Sequence, residues 1–398
     1  MIFVGRMPEE QPAHVALCLN VGSSSLKFAV FHVTRRTEQL LADGSIDQLG
    51  RADARVRLRV GAQLSEHVCS GSTLPESLGT VFALLEEHGL PRASVVGHRV
   101  VHGGRGHSAP ARIDGTLLES LKQLVPLAPL HLPSAIAGIE ATAERLPGVP
   151  QVACFDTAFH AGMPEHAARF ALPARLFGEG VRRYGFHGLS YEYVLSTLGE
   201  PPPARVIIAH LGNGASLAAI HQGRSIDTTM GLTPGGGILM GTRSGDLDPG
   251  VLLYLLREKG YSVEGLERLL ECESGLLGIA GSADMRALSE RFEHDESARL
   301  AVTMFGYAVR KAIGAYSAAL GGVDVLVFTG GIGEHAPLVR AEACRGLAAF
   351  GIVLDDASNA RNERVIHAPS SACQVLVLET DEDRMIARHA GAVARALS

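Results

Sequence analysis

Short apolar runs near the start of the chain give way to segments in which apolar residues recur at helical spacing. Residues 15–19 (VALCL) and 28–33 (FAVFHV) read as two buried strands joined by NVGSSSLK (20–27), a hairpin with a glycine- and serine-rich bend. Residues 55–60 (RVRLRV) alternate strictly, the pattern of a half-buried strand with a solvated arginine face, and are expected to form a sheet edge. Leu74, Leu78, Val81, Phe82, Leu84 and Leu85 place a helix over 73–88, and 134–146 is helical too. Strands return at Val95-Val96 and at 152–155. After Pro201-Pro202-Pro203, residues 205–229 predict strand, glycine turn, strand, a turn at Gln222-Gly223, and strand. Residues 296–320 predict a long helix ending at Gly321-Gly322, followed by a strand at 323–328 and a turn, TGGIGEHAP (329–337), that enters a helix at Pro337. The end of the chain reads strand, acidic turn, helix. Strands first, then helices alternating with strands, make the class α/β.

A chain of 398 residues predicts about two domains. Asn20-Val21-Gly22 and Asn213-Gly214 each join two apolar strands and lie 193 positions apart, a weak sign of two related halves. Glycine is in excess, 46 of 398, without a collagen-like period, which points to tight turns and close approaches to a ligand. The net charge of −6 gives no global basic field for nucleic acid or an anionic membrane, so an anion must be captured locally. Only four of the 36 basic residues are lysines, which makes Lys27 at the end of the first bend informative. Six cysteines without a CxxC pair suggest neither zinc nor disulfides and fit a reducing cytoplasm. No apolar run approaches the ~20 residues of a membrane helix, and the first residues are too short and too acidic for an export signal, with Met7 an alternative start.

Several constellations carry chemistry. In NVGSSSLK, backbone N–H groups and hydroxyls can wrap phosphate oxygens while Lys27 adds a point charge, although no P-loop is present. GHRVVHGG (97–104) spaces His98 and His102 as a zinc pair would, but Arg99 stands where that motif needs a glutamate. Arg99 and Arg243, each among glycines, are forks suited to a carboxylate or a phosphate. Asp156 and Glu382 follow strands, where carboxylates meet Mg²⁺ or cap helices. Gly331–Ala336 also satisfies a dinucleotide GxGxxA with Asp355 at the end of a later apolar run, but too little chain follows for a complete dinucleotide domain.

Taken together, NxGSSSxK, GHRxVHGG, FDTAFH (155–160), RRYGFHG (182–188), HLGNG (210–214), MGxTPxxGxxMGTRxGDxDP, FTGGIGE and TDE (380–382) resemble the acetate kinase family, in its order along the chain. The resemblance implies two duplicated actin-like, ribonuclease H-like domains with a nucleotide cleft between them. They would be residues 1–157, completed by a helix at about 383–398, and residues 158–382. It implies Mg-ATP-dependent phosphorylation of acetate to acetyl phosphate, with Mn²⁺ able to substitute, in a cytoplasmic homodimer that binds ATP or ADP and no nucleic acid or membrane.

By motif, Asp156, His187, Arg243, Arg99 and Asn213 would be catalytic. Arg99, Val101, Leu130, His131 and Pro234 would bind the acid. Lys27, His210, Leu211, Gly212, Asn213, Gly214, Asp284, Met285, Arg286, Gly330, Gly331, Ile332 and Gly333 would bind nucleotide, and Asn20 and Glu382, with Asp156, would place the metal. The chain departs from the family pattern at Leu132, where an asparagine is usual, and more quietly at Ser244 and Ala280. Leu132 puts acetate over propionate or butyrate in question. Because a carboxylate acceptor is already ionised at pH 7, no general base is required; Asp156 would be that base only for a hydroxyl acceptor. A nucleotide-driven switch protein of the same superfold is the non-enzymatic alternative.

Overall fold

The computed structural model describes residues 13–22, 24–49, 51, 54–69 and 73–397; Ser23 of the first bend and Met7 lie outside the described residues. The chain forms two compact units, one running to Ala158 and taking in the segment from Glu382 onward, the other spanning Phe159–Asp381.

The first unit carries β1 (His14–Val21), β2 (Ser25–Val33), β3 (Glu38–Asp47), β4 (Arg55–Val60), β5 (Gln63–Val68), β6 (Val95–Val100), β7 (Ala111–Arg112) and β8 (Gln151–Phe155) in one sheet, ordered β5-β4-β3-β2-β1-β6-β8-β7. β1 to β5 form an antiparallel meander, and β6 and β8 run parallel to β1. The strand RVRLRV is therefore one place in from the edge, because Gln63–Val68 pairs outside it. Its arginines meet carboxylates on both neighbours, Arg59 with Asp43 at 2.8 Å and Arg55 with Glu66 at 3.7 Å. Val56 and Leu58 alternate with them into the core.

Helix Leu74–Glu87 starts in a Thr73–Glu76 capping box and buries Leu78, Val81 and Leu84 against Leu17, Leu19 and Phe28. Helix Leu132–Arg145 packs through Gly138 on Val21. Helix Glu382–Leu397 covers the opposite face, with the Cys154 thiol 4.0 Å from the Ile386 carbonyl. A sheet covered on both faces explains why β1 is apolar at every position from Ala16 to Leu19 instead of alternating.

The second unit carries β9 (Arg205–Leu211), β10 (Ala215–His221), β11 (Arg224–Thr228), β12 (Val325–Thr329) and β13 (Gln374–Val377), ordered β11-β10-β9-β12-β13. Three antiparallel strands are followed by two parallel ones, the same pattern as β3-β2-β1-β6-β8. Both glycine turns join the first strand of such a unit to its second, so the repeat weakly legible in the sequence is a duplication of topology. Helix Glu296–Leu320 is capped by Asp295 and ends at Gly321. Two expectations shift here. A helix begins at Gly330, before the one at Pro337, and the apolar run ahead of Asp355 is no regular strand: Asp355 caps helix Asp356–Ala360 and the strand parallel to β12 comes later, at β13. Among the described residues no helix is long and apolar enough to cross a membrane.

Candidate functional site

In an open α/β sheet the parallel strands deliver their ligands' partners at their C-terminal ends. In the first unit, β1, β6 and β8 end in Asn20, in Arg99 with Val101, and in Asp156. Asn20 lies opposite Lys27 across the β1–β2 ladder. Arg99 Nε donates to Asp156 Oδ1 at 3.0 Å and its Nη2 to Oδ2 at 2.7 Å, a bidentate fork, while Nη1 lies 3.3 Å from Glu382 Oε2 at the start of the C-terminal helix. Burial works against the Arg99 charge, and the Asp156 and Glu382 carboxylates outweigh it, so its pKa is raised and it stays protonated. His98 Nε2 takes the side-chain amide of Gln151, and burial lowers its pKa to about 4. His102 Nδ1 accepts from Gly104 N at 2.9 Å. The two histidines thus serve separate local bonds. Val101 and His131 are half-buried and Leu130 is exposed, whereas Leu132 is fully buried in the cluster of Val100, Leu121, Ile136 and Phe155.

In the second unit, β9 runs into the turn Gly212–Gly214. His187 sits at the start of helix Gly188–Ser196 in a left-handed conformation, φ 59°. Its Nδ1 bonds Ser216 Oγ at 2.8 Å, and Ser216 in turn meets the Tyr191 hydroxyl. Its ring stacks on His210 with centroids 4.3 Å apart, and His210 Nδ1 bonds Ser190 Oγ at 2.8 Å, which accepts from Thr380. A hydroxyl thus fixes each ring on its Nδ1 side. A Cβ at Gly214 would lie 3.3 Å from His187 Nε2 and 3.8 Å from Arg243 Nη1, so this glycine leaves a cradle at which both groups aim. Gly241 N donates to Asn213 O at 3.1 Å, and a Cβ at Gly241 would collide with Asn213 Oδ1 at 2.1 Å. That close approach stitches the Arg243 loop to the turn. Arg243 Nε meets Glu271 Oε2 at 3.0 Å and Nη1 donates to the carbonyl of the buried Pro234 at 3.3 Å.

A cavity of about 680 Å³ opens beside this turn, lined by Gly212, Asn213, Asp284, Met285, Arg286, Gly331 and Ile332 with Ser289, Glu290 and Pro337. Seven residues singled out from sequence thus surround one space. Asp284 also caps its own helix, accepting from Arg286 N at 2.9 Å. Leu211, Gly330 and Gly333 are buried and do not line the cavity, and Lys27 belongs to the first unit. Sequence reasoning gave no role to Glu271, Ser190 or Thr380. His160 it quoted only within FDTAFH; buried between Ser225 and the Phe186 carbonyl, it supports the backbone just before His187.

Each unit thus presents an arginine fork suited to an anion, and known proteins match the chain along nearly its whole length. The Acetokinase family model matches residues 15–388. An acetate kinase of Sulfurovum sp. is 45% identical over 96% of this chain and 99% of its own. Among solved structures, a propionate kinase of Francisella tularensis superposes with a TM-score of 0.90 at 38% identity, covering 94% of this chain and 98% of that one. Porphyromonas gingivalis acetate kinase superposes at 0.87 with 38% identity, covering 96% and 99%. A match of that extent means that the chain belongs to the acetokinase family.

Proposed function

We propose that the protein catalyses reversible Mg-ATP-dependent phosphorylation of acetate to acetyl phosphate and ADP by direct in-line transfer. The observation that carries the reading is the convergence of His187 Nε2 and Arg243 Nη1 on the Gly214 turn, next to a cavity of nucleoside size. Adenosine would lie among Asp284, Met285, Arg286, Gly331 and Ile332, and its phosphates along His210 and Gly212–Gly214, with Lys27 adding charge. Phosphoryl transfer has a loose transition state whose charge spreads over the equatorial oxygens, so fixed cationic and N–H donors supply most of the catalysis. Arg243 and His187 would take that role. Arg99 would hold the acceptor carboxylate, with Val101, Leu130, His131 and Pro234 bounding its methyl group. With a pKa of about 4 to 5 that acid arrives ionised, so Asp156 need not remove a proton.

Among the described residues no three metal-binding side chains are grouped. Asp156 and Glu382 nonetheless present two hard oxygen donors to one guanidinium, and Asn20 ends the adjacent strand. One or two carboxylates plus substrate phosphates is how Mg²⁺ is commonly held, so the residues fit. When bound, Mg²⁺ or Mn²⁺ would offset charge on the transferring phosphates.

We also place the protein in the cytoplasm, in keeping with six cysteines that are all thiols, five of them buried. A homodimer accounts for the apolar face of helix Glu296–Leu320, where Leu300, Met304 and Tyr307 recur one turn apart and are each more than 40% exposed. Light scattering on the purified protein reads the stoichiometry.

The activity is tested by trapping acyl phosphate with hydroxylamine, comparing acetate, propionate, butyrate, glycerol and no acceptor. The highest kcat/KM with acetate supports the reading. A preference for propionate makes the protein a propionate kinase, like the Francisella tularensis relative. Absence of any acid-dependent turnover defeats both.

A further inference from the structure

Arg243 reaches the Gly214 turn from a loop whose backbone is docked on one helix end. Ser244 N donates to Leu270 O at 3.1 Å and Thr242 Oγ1 to Glu271 O at 2.8 Å, so the two neighbours of Arg243 are tied to the last turn of helix Val263–Cys272. The side chain of Glu271 adds a third tie, to Arg243 Nε at 3.0 Å. Its other oxygen presses on Gly235, where a Cβ would lie 2.1 Å away, so the carboxylate touches both the arginine and the segment that supplies Pro234. A guanidinium bonded at Nε by Glu271 and at Nη1 by the Pro234 carbonyl cannot turn about its terminal bonds without losing one of them.

We infer that Glu271 is the positioning residue of Arg243: its carboxylate fixes the guanidinium plane so that Nη1 faces the Gly214 turn beside His187. The inference rests on the proposed role of Arg243 in phosphoryl transfer and adds to it a residue outside every motif. Burial raises the pKa of Glu271, Arg243 opposes the rise without cancelling it, and Glu267 adds to it.

The test measures kcat, KM for ATP, KM for acetate and thermal midpoint for E271Q, E271D, E271A and R243K in the full-length protein. E271Q and E271A are expected to lower kcat by roughly 10-fold or more, the order of a misplaced transition-state donor. KM for ATP should stay within about 2-fold because Glu271 does not line the cavity. E271D should recover part of the rate, and E271Q should hold the parent thermal midpoint, which a merely structural residue would not do. E271Q added to R243K should cost little beyond R243K alone. Wild-type kcat in E271Q, with R243K strongly impaired, overturns the positioning role and leaves the reading of Arg243 standing. A rise in kcat/KM for acetate in E271Q overturns it too, since Glu271 would then be competing with the substrate for the arginine. If R243K itself retains full rate, the role of Arg243 fails and the inference falls with it.

Discussion

Arg99 and Asp156 are joined by two parallel hydrogen bonds, 3.0 and 2.7 Å long, across the ends of adjacent parallel strands. A carboxylate that presents both oxygens to a guanidinium is poorly placed to take a proton from a substrate, and an ionised acceptor asks for none. R99A is therefore expected to lose at least ~10²-fold in kcat/KM for acetate. D156N should lose rate in a way that added Mg²⁺ partly restores, and the parent enzyme should keep a flat rate between about pH 6 and 8. Initial rates in an ATP-regenerating assay read all three. A parent rate that climbs steadily with pH, and loses its slope in D156N, would return the base role to Asp156.

Two buried histidines make a prediction about acid stability. Desolvation lowers the pKa of both His98 and His160 to about 4, while in the unfolded chain each titrates near 6.5. The unfolded state then binds more protons between those values. Stability is fully present above about pH 6.5 and is lost as pH falls toward 4, by on the order of 3 kcal/mol per histidine. Urea midpoints taken at intervals from pH 7 to 5 should fall, and H160Q should be weaker at pH 7 with a shallower decline. Equal slopes in the parent, H98Q and H160Q would show that both rings take up protons in the fold as readily as in the unfolded chain.

The residues legible in the sequence were those whose place demands a particular type. Gly241 touches Asn213 where no Cβ fits and sits two residues before Arg243, while Arg99 and Asp156 stand at the ends of the parallel strands β6 and β8. Thr380 was quoted only within TDE (380–382), and Ser190 not at all, because a lone hydroxyl has no local signature and their contact spans 190 positions. Glu271 was hidden for another reason: in LERLLECE it looks like any solvated position of an amphipathic helix, and only the fold brings Arg243 to it. The same limit explains β3 and β5, whose mixed burial leaves no clean alternation to read.

Leu132 marks the departure from the family pattern, and its side chain points into the core. It opens helix Leu132–Arg145 ahead of Pro133 and packs with Val100, Leu121 and Ile136. L132A should cost about 2–5 kcal/mol in unfolding free energy, and L132N a similar amount, by burying an amide. The ratio of acetate to propionate kcat/KM should move less than about 2-fold in either variant under conditions where both stay folded, since removing a core side chain does not reshape a pocket it does not line. A large swing in that ratio with little loss of stability would place Leu132 in the acyl pocket after all.

Arg340 is fully buried, yet it is charged and five times bonded. Nη1 donates to the carbonyls of Gly333 and Glu334 at 2.8 and 3.0 Å, Nε to Asn359 Oδ1 at 2.8 Å, and Nη2 to Asn359 O and Asn362 Oδ1 at 2.8 and 2.6 Å. It closes the C-terminal end of helix Gly330–His335, whose Gly331 and Ile332 line the cavity. Burial lowers its pKa to about 10, which still leaves it protonated at neutral pH. A lysine delivers one point charge where the guanidinium spans two carbonyls and two asparagines, so R340K should let the Gly331–Ile332 turn loosen. The expected outcome is a KM for ATP raised at least ~10-fold with KM for acetate within about 2-fold, while R340M loses at least about 3 kcal/mol of stability through stranded carbonyls. Nucleotide and acetate KM values that move together in R340K would assign Arg340 to the general packing of its unit instead of to support of the Gly331–Ile332 turn.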